Sequence, residues 1–162
     1  MVANKRGDIS LSFGFIFSII LIAAIVGIAF YAISYFVDLG NCTEISLFYN
    51  DFQNSVDDAW ASEITKDVFV GTLPSGIESV CIGDVEQGID TEEYRELSRY
   101  GRFEANVFLY PPKKACDEAY KKIEHINIEE LGFECFQVRD GKVSIGLEKG
   151  SFDSLVRITR IE

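Results

Sequence analysis

Four cysteines, Cys42, Cys81, Cys116 and Cys135, are the side chains in this sequence with the clearest chemistry. Thiols in such a set either oxidise in pairs or hold a metal. A zinc site uses closely spaced ligand pairs, whereas the nearest cysteines here lie 19 positions apart, no C-x-x-C occurs and His125 is the single histidine. An even number of cysteines fits two disulfides, with zinc as the rival reading. Four cysteines permit three connectivities. The pairing expected is Cys42 with Cys81 and Cys116 with Cys135, which closes the shortest separate loops. Each loop would add roughly 3 kcal/mol in the chain-entropy account.

Catalysis needs a nucleophile beside a base, a metal cluster, or paired carboxylates whose surroundings separate their pKa values. His125 stands between Glu124 and Ile126 with no motif that links it to a serine or cysteine. No enzymatic activity, cofactor or metal is therefore expected. The run Asp84-Val-Glu-Gln-Gly-Ile-Asp-Thr-Glu-Glu has oxygen ligands at alternate places, as a calcium loop does. Ile89 fills the place that needs glycine, and Gly88 removes a ligand, so a solvated acidic loop is the plainer reading. Asn41-Cys42-Thr43 matches the N-glycosylation triplet, close to a membrane and with a middle residue expected to be bridged.

These groups need elements to hold them, and one stretch places the rest. From Ile9 to Val37 no charged side chain occurs, and the run LSFGFIFSIILIAAIVGIAFYAISYFV contains glycine but no proline. As a helix it crosses the roughly 30 Å apolar core of a bilayer with residues to spare. Tyr31, Tyr35 and Phe36 mark the expected outer interface. Lys5 and Arg6 precede the run and Asp38 closes it, so the positive-inside rule keeps the N-terminus cytoplasmic and exports the chain beyond Asp38. A cleaved secretory signal is the competing reading. It would have a core about half as long and a small-residue cleavage site, which Ala29 and Ala32 among bulky neighbours approximate poorly. The division expected is a basic leader over 1–8, a span over 9–37 and an extracytoplasmic domain over 38–162.

From Leu39 onward 13 Lys and Arg face 24 Asp and Glu, the same −11 as the whole chain, because Lys5 and Arg6 offset Asp8 and Asp38. That charge makes nucleic acid and anionic lipid headgroups poor partners and suits a soluble surface. Within the domain, Asn41 or Thr43 is expected to cap an amphipathic helix with Phe48, Phe52, Val56 and Trp60 on one row and Ile45 and Tyr49 beside it. Asp67–Gly71 and Ile77–Gly83 read as strands around a Pro74-Ser75-Gly76 turn. Thr91 opens a short helix through Tyr94, Leu97 and Tyr100 that Gly101 ends, and Phe103–Tyr110 is a strand stopped by Pro111-Pro112. A helix is expected over Ala115–Ile123. Phe133–Val138 and Lys142–Leu147 flank Asp140-Gly141 as a hairpin, and Leu155–Ile161 alternates as a last strand. The fold class is α+β, with an N-terminal transmembrane helix, a mainly antiparallel sheet and a packed amphipathic helix.

In the span, Ser10, Gly14 and Ser18 recur every four residues, and Ala23 with Gly27 repeats the spacing. Such rows let a second helix approach closely, although small residues are common in any membrane helix. The segment Lys5-Arg6-Gly7-Asp8-Ile9-Ser10-Leu11-Ser12-Phe13, followed by the apolar helix, resembles the N-terminus of archaeal class III signal-peptide proteins of the type IV pilin-like group. The resemblance implies cleavage between Gly7 and Asp8 on the cytoplasmic side and a helix that stays as the packing core of a filament. That group usually carries glutamine where Asp8 stands and glutamate where Ser12 stands. Cys42, the Phe48 to Trp60 helix, Leu73-Pro74-Ser75-Gly76-Ile77, Val80-Cys81-Ile82 and Phe108-Leu109-Tyr110-Pro111-Pro112 are also similar to single-span proteins encoded in small archaeal genomes. Two function classes fit: a pilin-like structural or assembly subunit that self-associates in the lipid bilayer or packs with other such subunits through its helix, and a tethered binding module whose helix is only an anchor.

Overall fold

The computed structural model describes residues 13–87 and 91–161. In chain order the elements are α1 (Phe13–Ala61), β1 (Thr65–Thr72), β2 (Ser79–Gly83), α2 (Glu92–Leu97), β3 (Val107–Tyr110), β4 (Tyr120–Lys121), α3 (Ile128–Leu131), β5 (Phe133–Gln137), β6 (Lys142–Lys149) and β7 (Arg157–Thr159). The chain divides into two compact units, Met1–Asp38 and Leu39–Glu162. The α+β class with antiparallel sheets is as expected.

In the first unit, α1 is exposed all round: every side chain from Gly14 to Val37 is exposed except half-buried Ala32. Among the described residues this is the one helix long and apolar enough to cross a membrane, by length and composition. A helix that is apolar on every side suits lipid, since in water it would leave its whole surface unmatched. Lys5, Arg6, Gly7, Asp8 and Ser10 lie outside the described residues.

The helix start expected at Asn41 or Thr43 is absent, because α1 runs through both. Between Val37 and Thr43 Gly40 weakens a helix most, by about 1 kcal/mol, and no proline stops it. Thr43 Oγ1 donates to the Leu39 carbonyl one turn back instead of capping anything.

Beyond Leu39, α1 buries Ile45, Phe48, Tyr49, Phe52, Val56 and Ala59. Their spacings of three and four follow the 3.6-residue turn. Trp60, expected as the last member of the row, is 42 % exposed. A strict four-residue step turns about 40° further each time, so twelve residues from Phe48 the side chain points roughly 120° away. The Phe48 and Phe52 rings stack at 6.1 Å, and Phe69 of β1 lies 5.0 Å from Phe52. Gly71 makes that approach possible, since a Cβ there would stand 2.5 Å from the Phe48 ring.

Two antiparallel sheets meet this helix face. One has the order β1-β6-β7 and the other β4-β3-β2-β5. Val143, Ile145 and Leu147 of the first sheet and Val80, Ile82, Val107, Leu109 and Phe136 of the second share one core with the helix row. The opposite face of the second sheet buries Cys81 and Phe108 with Val85 and Leu97, so this sheet is covered on both sides. Thr91 caps α2 by accepting from Tyr94 N–H, a 3-10 turn continues through Ser98–Tyr100, and Gly101 follows, close to expectation.

Two expectations fail here. Asp140-Gly141 does form a tight turn with φ of 51° and 71°, and Arg139 and Lys142 bridge across it. The hairpin goes no further: β5 pairs with β2 and β6 with β1, in different sheets. The link between β1 and β2 passes at the same place, with Leu73 N–H donating to Gly141 O and Val138 N–H to Glu78 O, and these bonds divert the two strands. The helix expected over Ala115–Ile123 is absent. Cys116 and Asp117 both have positive φ, 50° and 62°, which no right-handed helix tolerates, and Tyr120 pairs with Phe108 as β4.

The disulfides join Cys42 to Cys116 and Cys81 to Cys135, not the neighbours in sequence. Cys81 and Cys135 are direct cross-strand partners on β2 and β5, which decides that bond. Cys42 lies one turn before Ile45 on α1 and takes the remaining thiol, on the left-handed turn after β3.

Candidate functional site

A polar cluster is built on the last turns of α1. Asp57 and Trp60, three residues apart, share a helix flank, and the segment before α3 brings His125 to them. The imidazole stacks on the indole at 3.9 Å with planes 6° apart, and its Nδ1 lies 3.0 Å from Asp57 Oδ1. A carboxylate only accepts, so Nδ1 carries the proton in this contact. His125 itself has φ of 66°, and its carbonyl accepts from Val156 N–H.

The surroundings tie the same pieces together. Gln53 donates to Asp57 and accepts from Glu124 N–H, while Trp60 Nε1 donates to the Ser154 carbonyl. Lys149 Nζ donates to the carbonyls of Trp60 and Ser62 at the helix end, the favourable place for a cation. An Asp-His pair of this kind orients an imidazole for general-base work when a hydroxyl or thiol sits at the other nitrogen. Among the described residues no hydroxyl or thiol bonds to His125, and all four cysteines are bridged. What the arrangement does is fasten 123–127 and 153–156 to α1.

A second polar group is buried about two turns earlier on the same helix. Tyr49 donates its hydroxyl proton to the Glu118 carbonyl at 3.0 Å. Burial first, and the Glu118 carboxylate second, push its pKa well above the ordinary phenol value. Asn106, buried as well, exchanges two 2.7 Å hydrogen bonds with the backbone of Ile123.

Of the residues singled out in the sequence, the cysteines are all bridged, Cys42 with Cys116 and Cys81 with Cys135. Gly14 and Ser18 lie on α1, where Ser18 Oγ donates to Gly14 O at 2.8 Å, which leaves that row small and internally satisfied. Asn41 and Thr43 of the glycosylation triplet are inside α1 around a bridged Cys42. Asp84 uses both carboxylate oxygens locally, towards Glu86 N–H and Gln87 Nε2, and residues 88–90 are outside the described part. No group of three or more His, Cys, Asp or Glu side chains is placed to hold a metal among the described residues.

Sequence reasoning missed the Asp57, Trp60 and His125 cluster. The row Gln53, Asp57, Trp60, one step round the helix from the buried row, was the available signal. Comparisons with protein-family models, curated proteins and solved structures give no match for this chain.

Proposed function

We propose that this chain is a membrane-anchored, pilin-like assembly subunit with its disulfide-bonded domain outside the cytoplasm. The observation that carries the reading is α1, a single helix that supplies an apolar run exposed on every side before Asp38 and the central row of a domain core after it. In such a subunit the helix packs against others of its kind in lipid, where close contact of small residues replaces expulsion of water as the source of attraction. Two disulfides suit an oxidising exterior, and Lys5 and Arg6 before the apolar run favour a cytoplasmic N-terminus.

Photo-crosslinking in native membranes tests it, together with the intact mass of the native protein. Crosslinked multimers are expected, weakened by Gly14→Leu and nearly unchanged by Ile20→Leu, with a mass lacking residues 1–7. A monomer before any substitution that retains Met1 to Gly7 refutes the assembly role. The second reading, a tethered binding module, is favoured by a cleft in the domain.

A further inference from the structure

We propose that the seam between the two sheets binds an extended, acidic segment of a partner protein, which adds as a strand along the free edge of β5. β5 is the last strand of its sheet and its ladder is with β2 alone. On the other side it parts from β6 after one bridge at Arg139 and Lys142. Among the described residues no backbone bond from Phe133–Gln137 goes to any element other than β2. A sheet edge of this kind is a template for a further strand.

The cleft beside that edge has a volume of about 420 Å3. Its walls are Cys135, Phe136 and Gln137 on one side and Lys142, Ser144 and Arg160 on the other, with Arg139 at the turn. In a chain with 26 acidic and 15 basic residues, three cations and, among the described residues, no carboxylate line this one cleft. Arg139 and Lys142 are exposed and have no acidic partner among the described residues, while Arg160 pairs with Glu134. Asp140 at the turn tip is not part of the lining. Two cations without partners beside open backbone groups fit a ligand with carboxylates spaced along an extended chain.

The charge also orients the occupant. Towards Phe133 the cleft continues past Glu93 and Glu134, so acidic side chains are repelled from that end and drawn to the Gln137 to Lys142 end. Ile161, 47 % exposed at the rim, offers an apolar contact to the alternate side chains. Binding at this edge does not require the helix to self-associate.

The test uses the full chain in nanodiscs of neutral lipid and a labelled, acetylated seven-residue peptide that alternates glutamate and valine. Binding is expected by fluorescence anisotropy, weakened about tenfold by Arg139→Glu with Lys142→Glu, and falling as salt rises. The pair Lys113→Glu and Lys121→Glu, an equal charge change elsewhere, should leave binding within twofold. Hydrogen exchange should show added protection at outward amides of Phe133–Gln137 when peptide is bound. Intact disulfides by mass in both double variants establish that they fold. Absence of binding, equal losses in the two double variants, or binding without added protection on β5, as a simple polyanion such as citrate would give, overturns the proposal.

Discussion

Removal of the Cys42 and Cys116 bond is the most informative perturbation, because its size and its specificity both follow from where the thiols lie. The bond closes a 74-residue separation, for which chain entropy gives about 4.4 kcal/mol, against about 4.2 for the 54-residue separation of Cys81 and Cys135. Cys42→Ser with Cys116→Ser should therefore lower domain stability by about 4 kcal/mol. With a urea slope of roughly 2 kcal/mol/M, the unfolding midpoint drops by about 2 M. Non-reducing tryptic digestion separates the alternatives cleanly. In a subunit that begins at Asp8, cleavage after lysine and arginine puts Cys42 in 8–66, Cys81 in 67–95, Cys116 in 115–121 and Cys135 in 123–139. The native protein should link 8–66 to 115–121 and 67–95 to 123–139. Cys42→Ser with Cys81→Ser should leave two free thiols, since Cys116 and Cys135 have each lost their partner. If that double variant is instead fully oxidised as a monomer, or 8–66 is found linked to 67–95 in the native chain, the pairing and the core built around it are wrong.

Gly71→Ala should destabilise the domain by about 1–3 kcal/mol in urea unfolding, because its methyl meets the buried Phe48 ring; an unchanged midpoint would mean that the ring has room to move. The raised pKa of Tyr49 gives a pH dependence of definite sign: the folded state keeps the phenol proton, so the stability it contributes is whole below about pH 10 and falls above it as the unfolded phenol ionises. Tyr49→Phe loses the bond to Glu118 O, about 1 kcal/mol at pH 7, and its deficit against the native chain should shrink between pH 10 and 12. Parallel stability curves for the two proteins over that range would refute the assignment.

The elements were legible in the sequence where one local pattern decided them. Alternation marked Arg157–Thr159, three- and four-residue spacing marked Ile45 to Ala59, and Thr91 with its following glutamates marked α2. Failures came where a local signal competed with a longer-range one. Thr43 is a good cap only if the helix begins there, and the apolar run before it had already begun the helix. Asp140-Gly141 specified its turn, but two hydrogen bonds from the crossing link decided how far the ladder ran. Nothing in Cys116-Asp117 announces two left-handed residues, since neither is glycine.

The disulfide pairing, too, is set by the sheets and not by the lengths of the loops it closes. Loop length ranks pairings only weakly, by the logarithm of the number of residues closed, so a difference of about twenty residues is worth a few tenths of a kcal/mol. Cross-strand register is a much stronger selector, because thiols directly opposite on neighbouring strands meet without backbone movement. Once Cys81 and Cys135 are joined, Cys42 has only Cys116, and the second bond gains a mechanical meaning. Cys42 is on α1 ahead of Ile45, the first residue of the buried row. A load applied through the preceding apolar helix reaches Cys42 before it reaches the row. The bond then passes the load covalently to Cys116, on the turn after β3, so the helix cannot peel away one turn at a time. An assembly subunit held by its helix needs such a tie more than a freely diffusing tethered module does, which is why the Cys42 and Cys116 variant bears on function as well as on stability.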